Sequence, residues 1–205
     1  MQAFHADPAV KAKYVARLRA HRAAEELVQG QGFKNGKGCA VGCTLDNYDH
    51  ARYPTELGLP VWIAHLENQI FEGLPKAEAE KFAEDFLAVI PVGADVDAVR
   101  WQLAILRHTQ DLNRLSENTE PYAAQCRQAI QGVIAWITAG SAAESAWSAA
   151  RSAWSAESAA WSARSAAWSA WSARSVVWSV AARSKHYAWE AKTLLELLSD
   201  SKVPA

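Results

Sequence analysis

The sequence predicts an all-α protein in two parts. A helical N-terminal domain, residues 1–140, carries an ordered Gly/Cys-rich loop at about 30–60. An Ala/Ser/Trp-rich helical repeat region, residues 141–205, follows. Three observations lead there. Apolar residues recur at helical spacing through most of the first part, strand signals are almost absent, and no Gly or Pro occurs from Ser141 to Val203.

Asp7 followed by Pro8 reads as an N-cap and first turn. Val10, Tyr14, Leu18, His21 and Leu27 continue that helix, and Gly30 and Gly32 are expected to stop it. The stretch GFKNGKGCAVGCTLDNYDHARY is rich in glycine and polar groups and reads as a loop with short turns. Pro60 opens a second helix over VWIAHLENQIFEGL, and KAEAEKFAEDFLAVI forms a third, ended by Pro91. Asp95 caps a fourth, through Val96, Val99, Leu103, Leu106 and about Leu112. Glu120 and Pro121 open a fifth to Thr138, and Gly140 marks the join to the repeat.

The repeat parses into units such as WSAA, RSA, WSA and ESAA, each a large or charged residue, a serine, then alanine or valine. One helix face would carry Trp147, Arg151, Trp154, Glu157, Trp161, Arg164, Trp168, Trp171, Arg174 and Trp178. The average step is about 3.4 residues, near the ~3.5 of a coiled coil. One reading is packing, with indoles set against the Ala/Ser face of a neighbouring helix. The other is a Trp/Arg surface that stacks planar groups. A single helix to Leu198 would run roughly 87 Å, against a radius of gyration near ~17 Å for a compact chain of this size. The segment therefore breaks, projects as a rod, or packs along another chain.

Composition narrows the function classes. Net charge is −1, so extended nucleic acid is disfavoured as a partner. No apolar run approaches the roughly 18–20 residues of a membrane span, and MQAFHADPAVKAKY lacks the features of a secretion signal. Three cysteines, Cys39, Cys43 and Cys126, make no disulfide framework. The expectation is a soluble cytoplasmic protein with reduced thiols, without a membrane partner. The repeat admits a homo-oligomer. No cofactor is named by the sequence.

Several residue sets could carry chemistry. GKGC fails as a phosphate loop, because its glycine spacing is wrong and Gly38 stands where a magnesium-binding hydroxyl belongs. A glycine nest holding an anion with Lys34 and Lys37 is a looser alternative. Cys39, Cys43 and His50 could bind zinc, with His65, His21 or Asp49 as fourth ligand, although the usual Cys-x2-Cys spacing is missing. Cys43 or Cys39 could be a nucleophile, with His50 as base and Asp49 or Asp46 as orienter. Against both stands the plain reading, in which the cysteines are small buried hydrophobes and His50 and Asp49 structure a tight loop. Lys34, Lys37, Asp49, His50, Arg52, Tyr53 and Glu67 form the candidate ligand-binding set, with Tyr48, Glu56 and Glu72 close in sequence.

At GKGCAVGCT, YDHARY, ELGLP, IFEGL and IPVGAD the chain resembles an uncharacterised protein family of bacteriophage and bacterial genomes. In that family the same segments precede Ala/Trp/Ser/Arg repeats of varying length. The likeness runs from about Gly36 to Asp95 and resumes at the repeat. A fainter similarity, in the Ala-rich repeats alone, is to immunity proteins of bacterial toxin systems. The resemblance supplies no catalytic residues. It implies a small accessory protein of a phage or mobile element that inhibits a host factor or sequesters a small charged, nucleotide-like signal, in one form as counter-defence. The competing expectations are a Cys/His hydrolase or transferase and a structural zinc-containing or self-assembling helical protein.

Overall fold

The computed structural model describes residues 1–116, 121–138 and 180–204. These belong to two compact units, Met1–Arg100 with Val180–Ala205, and Trp101–Ser179. The division does not follow the order 1–140 then 141–205. The C-terminal helix returns to the first unit, because its apolar face packs against helices near the middle of the chain.

In the first unit, α1 (Pro8–Ala23) starts where Asp7 Oδ1 accepts the N–H of Ala9 at 2.8 Å, with Pro8 in the first turn. It ends before the glycines. Glu25 takes a left-handed conformation at φ 56°, and nothing in the residue type announces that stop. A hairpin of β1 (Phe33–Lys34) and β2 (Lys37–Gly38) follows, paired antiparallel with Lys34 opposite Lys37. Its two-residue turn is Asn35–Gly36, at φ 55° and 78°, the double positive-φ geometry that Asn-Gly favours. Then come α2 (Ala40–Leu45), a 3₁₀ turn His50–Arg52, α3 (Tyr53–Leu57), α4 (Val61–Gly73) and α5 (Lys76–Val89). Every residue of α2 is buried. The last described helix, α8 (Val180–Ser199), packs on α4 and α5, while α1 packs on α5 and α2.

The core consists of inward stripes of these helices. Ile63, Leu66, Ile70 and Phe71 come from α4, Phe82, Phe86 and Leu87 from α5, and Leu194 and Leu198 from α8. Each such side chain stabilises the fold by about 1.5–3 kcal/mol through burial. Side chains from α1 and the following loop close the helix ends. Lys11 Nζ donates to Ala88 O and Ile90 O at 2.7 Å each, satisfying the last turn of α5. Gln29 Nε2 donates to Phe71 O and Leu74 O, at 2.6 and 2.8 Å, and does the same for α4.

The N-terminus is strained. Phe4, His5 and Ala6 lie at φ 56°, 54° and 56° in a left-handed turn, although none is glycine. Each such residue costs about 1–2 kcal/mol. Buried Phe4 offsets this, as do Ala3 N–H to Ala94 O at 2.9 Å, Gly93 N–H to Ala3 O at 2.8 Å and His5 Nε2–H to Thr55 O at 3.1 Å. The turn fits because Gly58 faces it at φ 62°, where a Cβ would fall 2.3 Å from Gln2 O.

The second unit holds most of α6 (Asp97–Ser116) and α7 (Pro121–Thr138), where Arg127 donates to Leu115 O at 2.7 Å. Among the described residues the protein is all-α apart from the two-stranded hairpin, and none of their helices is long and apolar enough to cross a membrane. The ladder from Trp147 to Trp178 lies outside the described residues.

Ala6 is exposed, so Ala6→Gly relieves strain without removing packing. Urea denaturation should show a gain of about 1 kcal/mol. Gly58→Ala should lose roughly 1–3 kcal/mol, since it adds both a clash and an unfavourable φ.

Candidate functional site

The Gly/Cys-rich segment is organised around one carbonyl. Gly32 O accepts the N–H of Cys39 at 3.0 Å, and a Cβ on Gly38 or Gly42 would sit 2.2 or 2.0 Å from it. Three backbone segments therefore touch where no side chain fits. The glycines serve this crossing, and a phosphate cradle is not required to explain them. The same seat receives the ring of Tyr48, since a Cβ on Gly32 would meet that ring at 2.6 Å. Gln31 Nε2 donates to Lys34 O and Lys37 O, at 3.3 and 3.0 Å, and holds the hairpin beside the crossing. The Lys34 and Lys37 side chains are exposed on opposed strands of the hairpin tip.

Both loop cysteines are interior. Cys43 Sγ donates to Gly38 O at 3.3 Å, and burial pushes its pKa up to about 12. Burial likewise raises Cys39 to about 11, against the opposing effect of the Gly42 and Val41 amides. Both are neutral thiols at physiological pH, the opposite of an activated nucleophile. His50 engages His65 instead, with rings stacked at 4.2 Å and 9°. Among the described residues no group of three His, Cys, Asp or Glu side chains is placed to hold a metal, so Cys39, Cys43 and His50 are not brought together as a ligand set. Nor do parallel stacked imidazoles converge their lone pairs on one ion.

Residues 46–53 divide their side chains between inside and outside. Asp49 Oδ1 accepts the N–H of Ala51 at 3.0 Å and caps the 3₁₀ turn. Arg52 pairs with Glu56 at 2.5 Å, and Tyr14 donates to the other Glu56 oxygen. The Tyr14 bond, then the Arg52 bond, holds the Glu56 carboxyl below its usual range. Asp46 accepts from Arg17 Nε at 3.2 Å and from His21 Nε2 at 3.0 Å, while His21 Nδ1 faces Glu26 at 2.7 Å. Arg52 is thus engaged by Glu56, the carboxylate that Tyr14 ties to α1. Tyr53 and Glu67 are fully buried, and the Tyr53 hydroxyl donates to Glu67 Oε2 at 2.5 Å. Burial, only partly opposed by that bond, raises the Glu67 carboxyl to about 8.

What stays outside is a set of rings. Tyr48 is 47% exposed, and its edge meets His50 at 4.9 Å and 76°. His65, on α4, is exposed beyond the stack. Burial, then the neighbouring His65, lowers the His50 pKa, while Asp49 works the other way. Tyr48 and His65 stand outside the candidate ligand-binding set. The Tyr48 seat was invisible because the Gly32 contact is long-range. His65 was named only as a possible fourth zinc ligand; two residues before buried Glu67 on α4, it lies on a different, exposed face of the helix. A comparison with protein-family models, curated proteins and solved structures found no match to this chain.

In the folded protein, iodoacetamide should label half-exposed Cys126 well ahead of Cys39 and Cys43. Mass spectrometry of the labelled peptides reads the order, and fast labelling at Cys43 would contradict its burial. Glu67 sets a pH dependence. Its folded-state pKa of about 8 exceeds the ordinary 4.5, so the native state holds the extra proton between those values. The Glu67 contribution to stability is therefore full below about pH 4.5, falls as pH rises, and levels off above about pH 8. Relative to Glu67→Gln, wild type should lose roughly 2–4 kcal/mol between about pH 5 and 9 in urea titrations.

Proposed function

We propose that this chain is a binding protein that acts by occupancy, without turning over a substrate. The reading extends the resemblance to an accessory protein of a phage or mobile element that works in the host cytoplasm. Its ligand would be a small charged molecule with a planar ring, of nucleotide type. One observation carries the reading: Tyr48, His50 and His65 form a continuous ring platform whose outer members are exposed, set on a rigid glycine crossing. Planar groups stack on such rings with little ordering cost in the protein. Lys34 and Lys37 belong to the hairpin at the same crossing, and among the described residues no acidic partner engages either of them in an ion pair. They would supply attraction for an anion.

A Cys/His hydrolase or transferase draws no support from the two thiols, whose pKa values are raised by burial. A structural zinc site draws none from the placement of Cys39, Cys43 and His50. Inhibition of a host protein would use the same exposed platform, and an oligomer would rest on the repeat.

Isothermal titration with a panel of nucleoside monophosphates, triphosphates and cyclic dinucleotides tests the proposal. Binding of at least one should be weakened about tenfold or more by Tyr48→Ala, the range of one lost stacking contact. The double change Lys34→Gln, Lys37→Gln should reduce the salt dependence of the remaining affinity. No heat with any member of the panel, or equal affinity in Tyr48→Ala, rejects the nucleotide platform.

A further inference from the structure

Two contacts tie residues 46–53 to α4. The outer one is His50 stacked on His65 at 4.2 Å. The inner one is the Tyr53 hydroxyl on Glu67 Oε2 at 2.5 Å. The 3₁₀ turn His50–Arg52 links them directly, so one cannot shift far without the other. The inner contact is unusual for a helix interior. Glu67 is 0% exposed, and its Oε1 is buried without a hydrogen-bond partner. No cation faces it. From α3 the titratable neighbour is Tyr53, and from the start of α2 it is Cys39. On α4 itself Glu72 acts on Cys39, while among the described residues of α5 and α8 no titratable group acts on Glu67.

A neutral carboxyl suits this place, with Oε2 accepting from Tyr53 and the proton on Oε1. A carboxylate does not, because one hydrogen bond is far too little for a fully buried charge. On losing its proton to bulk water the group must gain solvent. Two surfaces could yield. α4 is held by α5, by α8 and by Gln29, and a Cβ on Gly73 would stand 2.2 Å from the Tyr187 ring. Residues 46–48 and 51, by contrast, are exposed. The weaker side is the segment.

We propose that Glu67 is a proton-operated latch: with its proton it keeps Tyr53 and the Asp46–Arg52 segment seated on α4, and without it that segment, with Tyr48 and His50, is released. The latch depends on the packing of the segment and not on what the ring platform binds. It can therefore stand or fall separately from the nucleotide reading.

Amide hydrogen exchange on the full chain tests it, read as protection factors at pH 7.0 and 9.0. If release returns the carboxyl from about 8 to 4.5, the opening equilibrium rises about tenfold between these pH values. Protection across residues 46–53 should fall by that factor in wild type, with α5 unchanged, and Glu67→Gln should abolish the step. A change of less than about twofold, an equal fall in Glu67→Gln, or an equal fall throughout α5 overturns the latch. Should Glu67→Gln fail to fold, Tyr53→Phe gives an independent reading. It should already lower the protection of 46–52 at pH 7.0, and wild-type protection there overturns the proposal.

Discussion

The carbonyl of Gly32 is the point on which the functional half of the first unit depends. The chain returns to it at Gly38, Cys39 and Gly42, and Tyr48 lies over the same residue. A backbone crossing this close leaves no room for adjustment, because a Cβ at Gly38 or Gly42 would fall nearer to it than any Cβ can stand. Its effect is to fix where α2 begins, and so to bury all six residues of that helix. Burial of α2 then determines the chemistry of its two thiols. Their distance from water raises both pKa values, and the nearby amides recover only part of the shift. The inertness of the cysteines and the placement of Tyr48 thus have one cause.

Around that crossing, several polar side chains of the unit serve as internal connectors. Lys11 and Gln29 each close the C-terminus of a helix that neither belongs to. Arg17 and His21 of α1 hold Asp46, which ends α2 in a left-handed conformation at φ 52°. Arg52, Glu56 and Tyr14 join α3 to α1. Individually such partly exposed pairs contribute about 0–1 kcal/mol. Their larger effect is geometric, since they replace hydrophobic contact along a loop too polar to have any. Lys34, Lys37, Tyr48 and His65 stand apart by facing solvent, which is why the binding reading falls on them.

The helices were legible because they rest on local rules. Asp7–Pro8, Pro60, Asp95 and Pro121 all mark starts that the structure keeps. The hairpin was equally local, with Asn35–Gly36 between paired residues, but two-residue strands carry no alternation to read. The stop of α1 at Glu25 was not legible, because a left-handed conformation is favoured by nothing in a Glu side chain. The candidate site was legible in residue types and not in orientation. Tyr53 and Glu67 were recognised as chemically rich, yet the alternation that carries one loop side chain inward and the next outward is fixed by the Gly32 crossing and by α4. Cys39 and Cys43 followed the plain reading, as small buried groups.

A buried acid on α4 is a local choice that opposes the fold around it. A leucine there would add burial, and a glutamine would keep an acceptor for Tyr53 without the ionisation cost. Conflicts of this kind concentrate where a protein needs a property other than stability. The geometry shows what property the place could serve. Tyr48 is seated at one end of the 46–53 segment on a rigid backbone crossing, and Tyr53 is tied at the other end to an acid on α4. The first tie is a ring resting on backbone, and it holds while the segment stays packed. The second is conditional, because it is made of a proton. A segment held in this way has one tie that a proton can undo, and the ring platform moves with it.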